Sequence, residues 1–79
     1  MFGQTQLCDP YNVFLRKHKP GLCCAVREDM PVPTFLNPED WSYGYTARRT
    51  ADLPVSFQRS AARDATGRLG FYLFQDVCA

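Results

Sequence analysis

The pattern of apolar and polar positions near the start of the chain predicts an amphipathic helix over residues 10–19. Asp9 and Pro10 form a typical helix entrance, because a carboxylate can accept hydrogen bonds from the first free N–H groups and proline at the first helical position loses no hydrogen bond. Four side chains then recur at helical spacing on one face: Tyr11, Phe14, Leu15 and His18. The last turns carry positive charge that offsets the helix dipole: Arg16, Lys17 and Lys19.

Alternation with a period of two predicts strands in three other segments. Residues 22–28 form the first of these, with only one face expected to be fully buried. The second carries its aromatic side chains on one side: Trp41, Tyr43 and Tyr45, with Ala47 after them. The third covers residues 69–77 and is apolar on both faces, which is typical of a strand in the middle of a sheet.

Prolines and turn residues separate these elements. Residues 30–33 form an extended connector, because two prolines remove backbone donors, and residues 37–40 form a turn. Ser56 is expected to cap a short helix that ends near Gly67, with Phe57, Ala61 and Ala65 on its inner face. The order predicts one α+β domain over residues 1–79, in which a mainly antiparallel sheet of about three strands packs with two short helices.

Composition limits the classes of function. The 79 residues are 46% apolar with a net charge of +1, so the chain is neither a disordered segment nor a protein that binds nucleic acid over its whole surface. Its small core leaves a homodimer open. Without a leader-like start or a long apolar run we expect a cytoplasmic chain with no membrane partner and with reduced cysteines.

The scarce reactive side chains do not form a recognisable catalytic or metal site. Cys8, His18, Cys23 and Cys24 lack the paired spacing with which zinc knuckles hold their ion, so we predict no metal. Phosphate-loop and dinucleotide patterns are absent from the sequence, and the acidic pairs stand at turns, so we predict no cofactor and no catalytic residues. Cys78 lies next to the end of the chain, where an intermolecular disulfide can form.

Arginine is the most distinctive polar residue, with seven Arg against two Lys. Five of them are expected to converge at one edge of the domain: Arg48, Arg49, Arg59, Arg63 and Arg68. Together with Trp41, Tyr43 and Tyr45 they form the candidate partner-binding surface, because guanidinium groups and large rings carry much of the binding energy at interfaces. The alternative is a solvated helix face paired with Asp52, Asp64 and Asp76.

These features favour a small non-enzymatic interaction module that docks on a larger protein or a protein–nucleic-acid complex. Inhibitors encoded by phages and mobile elements, such as anti-CRISPR proteins, are comparable in size and composition only. A nucleic-acid-binding domain that uses the five arginines is the first alternative. A cysteine-dependent enzyme, in which His18 activates a nearby thiol, is the second.

Overall fold

A four-stranded antiparallel sheet organises the chain, with the strands in the order β3-β1-β2-β4. The computed structural model describes residues 7–76. The strands are β1 (Leu7–Arg16), β2 (Leu22–Arg27), β3 (Trp41–Arg49) and β4 (Tyr72–Gln75). A short 3-10 helix (Thr50–Asp52) and one α-helix, α1 (Arg59–Leu69), complete the fold. The α+β class is confirmed, with one strand more and one α-helix fewer than the sequence predicted.

The predicted helix over residues 10–19 is wrong, because this segment is the central strand β1. Tyr11 and Val13 are buried on one side of the sheet, and Phe14 packs on the other. Tyr11, Val13 and Leu15 fit a period of two, just as Tyr11, Phe14 and Leu15 fit one of 3.6. Pairing with β2 on one edge and β3 on the other decides between them, because it satisfies the backbone of β1 on both sides.

Strand β2 is confirmed, but both of its faces are buried. Cys23 and Ala25 lie in one core, and Cys24 and Val26 lie in a second core across the sheet. The sequence also predicted that the last strand lies in the middle of the sheet, and this is wrong: β4 is an edge strand that pairs with β2 alone. Its α1 side is covered, with Phe74 buried and Tyr72 packed against the same core, whereas Leu73 on the other side keeps 47% of its surface exposed.

Helix α1 and the segment before it cover the first side of the sheet. Phe57 lies outside the helix, where its ring meets three others edge-on at 5.1–5.3 Å: Tyr11, Tyr72 and Phe74. The helix therefore starts later than predicted, with Gln58 as its N-cap residue, and its buried positions are Ala62 and Thr66. The Ser56 hydroxyl caps nothing and is buried without a partner among the described residues.

The C-terminal end of α1 is set by glycine. Gly70 adopts a left-handed conformation (φ 89°), and its N–H donates to the Thr66 carbonyl at 3.1 Å. The helix thus continues past the predicted end near Gly67. None of the described helices is long and apolar enough to cross a membrane.

The segment between β2 and β3, which includes the two prolines of the predicted connector, covers the second side of the sheet. This side is called the connector side below. Leu36 packs against the core of Cys24, Val26 and Trp41. The predicted turn over residues 37–40 is confirmed, since the Asn37 side-chain oxygen accepts hydrogen bonds from the backbone N–H groups of Glu39 (3.1 Å) and Asp40 (2.9 Å). This turn delivers the chain into β3 beside the end of β1.

Candidate interaction surface

A β-bulge at Gly44 divides the aromatic residues of β3 between the two sides of the sheet. Tyr45 pairs with Val13 and Tyr43 pairs with Phe14, so Gly44 has no partner on β1. Tyr45 therefore packs in the α1 core, while Trp41 and Tyr43 lie on the connector side. The prediction that the three rings share one face is wrong for this reason.

Two aromatic rings remain exposed on the connector side beside buried Trp41. Phe35 approaches the Trp41 ring edge-on at 6.2 Å and keeps 40% of its surface exposed. Tyr43 is 59% exposed and rests edge-on against Phe14 at 6.0 Å. Phe35, Trp41 and Tyr43 are called the aromatic corner below. Phe35 and Tyr43 are the exposed members of the aromatic corner, and Trp41 is its buried member.

Hydrogen bonds and a cation–π contact hold the aromatic corner in place. The Tyr43 hydroxyl lies 2.5 Å from the Thr46 hydroxyl, which donates to the Asn12 side-chain oxygen at 2.6 Å. The Arg16 guanidinium lies 5.4 Å from the centre of the Trp41 ring. These contacts limit side-chain motion, so little conformational entropy remains to be lost when a partner covers the rings.

A cluster of positive side chains borders the aromatic corner at the turn between β1 and β2. Lys17 and Lys19 are exposed there with His18 between them, next to Arg16, whose guanidinium lies over the Trp41 ring. The Lys17 N–H donates to the Asp40 carbonyl at 2.7 Å, which ties this turn to the start of β3. Within the described part of the chain, no ion pair is found for Lys17, His18 or Lys19. Residues 16–19 are called the hairpin tip.

The hairpin tip was missed at the sequence level because its charges were assigned to the end of a helix. The signal that could have found it is Pro20-Gly21 after a segment that contains Arg16, Lys17 and Lys19, since Gly21 adopts φ 92° in the turn. If β1 is a strand, the same residues form a basic turn that joins β1 to β2.

The five arginines predicted to form one edge occupy three places. Arg48 and Arg49 end β3 directly before the 3-10 helix, and Arg59 at the start of α1 donates to the Thr50 hydroxyl at 3.2 Å. Arg63 lies 3.7 Å from Asp9, and Arg68 binds Asp64 within α1 at 3.0 Å. The structure thus places the start of α1 beside the end of β3, but each of the five guanidinium groups has a different neighbour, so they do not form one edge.

Most of these guanidinium groups are already engaged with acids. Arg48 binds Glu28 through two hydrogen bonds of 2.8 and 2.7 Å, and Arg49 lies 3.6 Å from Asp52. The backbone N–H groups of Arg48 and Arg49 donate to Asp52 at 3.1 Å each, and these bonds lower the pKa of the Asp52 carboxyl. Among the described residues, the hairpin tip therefore has more positive side chains without an ion pair than the five arginines have.

The described cysteines are buried in the two cores. Cys24 is fully buried, and desolvation raises the pKa of its thiol from 9.0 to about 12. Burial also raises the pKa of the Cys23 thiol, with a further contribution from the Asp76 charge. His18 is exposed at the hairpin tip. The Cys8 side chain and Cys78, including its predicted disulfide, lie outside the described residues.

Two further features bear on chemistry. No group of three or more His, Cys, Asp or Glu side chains suited to a metal ion is present among the described residues. A shallow depression runs along the outer surface of α1, lined by Ser60, Arg63, Asp64, Gly67 and Arg68, and it is open to solvent. Small-molecule sites normally enclose most of the ligand, so this depression lacks the shape of a substrate site.

Comparison of the chain with protein-family models, with curated proteins and with solved structures found no match. The function proposed below therefore rests on the chain's own geometry.

Proposed function

We propose that this chain is a small interaction module that docks on a larger protein through the aromatic corner and the hairpin tip. The observation that carries the proposal is the pair of exposed rings, Phe35 and Tyr43, held on a packed sheet beside positive side chains that form no ion pair among the described residues. Aromatic side chains and arginine are the types that contribute most binding energy at protein interfaces.

The charge next to the rings indicates the chemistry of the partner. Phe35 and Tyr43 suit an apolar patch, whereas Lys17 and Lys19 suit acidic side chains at its border. The partner is therefore a protein surface with an apolar centre and an acidic margin. A phage-encoded inhibitor of the anti-CRISPR type is one form of such a module, and that form rests on size and composition alone.

Single-stranded nucleic acid is the second candidate, favoured because the turn with exposed Lys17 and Lys19 is bonded to the start of β3, the strand that carries the exposed Tyr43 ring. Two observations rank it lower. The net charge is only +1, and Arg48, Arg49, Arg63 and Arg68 already have acidic neighbours. Few positive groups are left to neutralise a row of phosphates.

Capture from a lysate of the source organism, in reducing buffer, tests the proposal with matched variants. Tyr43→Ser and the double change Lys17→Glu with Lys19→Glu should each abolish capture of the same protein. Val55→Ser is the control, because Val55 is fully exposed away from the aromatic corner and its replacement should leave capture unchanged. Thermal midpoints within a few degrees of wild type show that each variant is folded.

Two additional arms separate the remaining hypotheses. Arg48→Ser combined with Arg49→Ser should leave capture intact, and its loss would move the binding surface back to the arginines. Capture that disappears on nuclease treatment, with affinity falling steeply with salt, would assign the surface to nucleic acid. Capture that survives Tyr43→Ser contradicts the proposal.

The cysteine-dependent enzyme is tested by thiol reactivity. A thiolate nucleophile at neutral pH needs a lowered pKa, whereas burial raises the pKa of both Cys23 and Cys24. Alkylation of the native protein at pH 6 should therefore be no faster at these positions than that of a model thiol. Faster labelling of either residue, located by mass spectrometry, would revive the enzyme hypothesis.

A further inference from the structure

The two edges of the sheet differ in whether another strand can pair with them. Along β3, the bulge at Gly44 interrupts the regular spacing of the backbone, and the N–H groups of Arg48 and Arg49 are occupied by the Asp52 carboxylate. Bulges and charged side chains are the usual means by which sheet edges avoid unwanted pairing. The β3 edge is blocked in this way.

Within residues 7–76, no strand pairs with the outer edge of β4. The Asp76 N–H donates to the Gly21 carbonyl at 2.7 Å, and Cys24 lies opposite Leu73 in the same antiparallel register. Because hydrogen-bonded and non-hydrogen-bonded pairs alternate along an antiparallel ladder, the backbone groups of Leu73 and Gln75 point away from β2. Both residues are exposed, Leu73 by 47% of its surface, so solvent reaches this edge.

The composition of β4 also favours pairing. Its four residues, Tyr72–Gln75, include no charge, proline or glycine, and three of them are apolar or aromatic. An uncharged edge strand with an exposed leucine is the type of segment that adds to another sheet. Neither bulge nor ion pair protects it among the described residues.

We propose that a second copy of this chain pairs with β4, antiparallel, with Leu73 of each copy at the twofold axis. A strand that meets its own copy in this orientation is self-complementary, since each outward N–H faces an outward carbonyl. With one edge blocked and one open, pairing ends at two copies and does not continue into a fibre. The expected result is one eight-stranded sheet across two chains.

The side chains fit this register. Leu73 meets Leu73 of the second copy on the connector side, which covers the exposed leucine. Tyr72 lies opposite Phe74 of the second copy on the α1 side, an aromatic pair of the kind that stabilises adjacent strands.

Sedimentation velocity in reducing buffer, over chain concentrations from about 10 μM to about 1 mM, tests the dimer. The wild type should shift from monomer to dimer in this range. Leu73→Lys and Leu73→Glu should each weaken the dimer at least tenfold, because like charges then face each other at the axis. A mixture of the two variants should restore association as a heterodimer, which also shows that both variants are folded.

Val55→Lys and Tyr43→Lys serve as controls on the same scale. Both should dimerise like the wild type, since Val55 and Tyr43 lie away from β4. A wild type that stays monomeric to about 1 mM overturns the proposal. A dimer that persists in both Leu73 variants, or that is lost in Tyr43→Lys, also overturns it. The docking function at the aromatic corner stands or falls separately, because its test does not involve Leu73.

Discussion

Replacing Gly44 by alanine tests the bulge on which the aromatic corner depends. A Cβ at this position would lie 3.0 Å from the Val13 carbonyl oxygen and 3.0 Å from Cγ of Leu15, about 0.4 Å inside ordinary contact. Leu15 is partly exposed and can move, whereas the Val13 carbonyl belongs to the central strand. The backbone contact therefore decides the sign of the effect.

The magnitude follows from two opposing contributions. Overpacking of this kind costs about 1–3 kcal/mol, and the reduced freedom of the unfolded chain returns about 0.4–1 kcal/mol. From the middle of each range, Gly44→Ala should lower the free energy of unfolding by about 1.3 kcal/mol. Each kcal/mol corresponds to about 4–8 °C in the thermal midpoint of a domain of this size.

Gly67→Ala is the matched control for this prediction. A Cβ at Gly67 meets no atom within 4 Å, and the residue lies inside α1. The substitution should raise the free energy of unfolding by about 0.5–1 kcal/mol. Both variants are measured by thermal and urea unfolding monitored by circular dichroism. A Gly44→Ala protein that melts at or above the wild type, while Gly67→Ala behaves as expected, would refute the close approach at the bulge.

Three further predictions concern the turn, the aromatic core and the buried thiol. Asn37→Ala should lower the free energy of unfolding by about 1 kcal/mol in urea, because two backbone N–H groups lose their acceptor, while Asn37→Asp keeps it. Phe57→Ala should cost about 3–5 kcal/mol, since its ring contacts three others, and a loss below about 1 kcal/mol would contradict that packing. The pKa of the Cys24 thiol is about 12 in the folded chain against 9.0 ordinarily, so the unfolded chain releases its proton first and stability should fall as pH rises from 9 towards 12. The urea midpoint of Cys24→Ala should decline less steeply over this range.

Local pattern was sufficient for the elements whose periodicity is unambiguous. Strands β2 and β3 were predicted within one or two residues, because β3 alternates large and small or polar side chains and β2 is a short apolar run that ends in a charged turn. The turn at Asn37 was also predictable, since its side chain acts on the next few backbone N–H groups. In each case the deciding interaction lies within a few positions of the residue concerned.

Strand β1 could not be decided in this way. Tyr11, Phe14 and Leu15 satisfy a helical period, and the Asp9-Pro10 pair adds a plausible start. What excludes the helix is pairing with residues far along the chain, such as Ala47 opposite Tyr11 and Trp41 opposite Arg16. Secondary-structure propensity is a weak preference that such contacts override.

The bulge in β3 had a local signal that went unused. Gly44 is an isolated glycine within a strand pattern, and such a glycine often marks a bulge or a close approach of another backbone. Both occur here, since Gly44 is unpaired and lies against Val13. Applying that rule would have placed Tyr43 and Tyr45 on opposite sides of the sheet.

Charge on the surface depends most strongly on contacts distant in sequence. Arg48 is neutralised by Glu28, 20 residues away, and Arg63 lies beside Asp9 at the start of the described chain. At the hairpin tip the opposite holds. The positive side chains that were predicted to offset a helix dipole lie on an exposed turn and form no ion pair among the described residues. The charged side chains available to a partner are those that form no ion pair within the folded chain. Which side chains these are depends on the order of the strands. In this chain the strand order leaves Lys17 and Lys19 without an ion pair among the described residues, whereas four of the five arginines have an acidic neighbour.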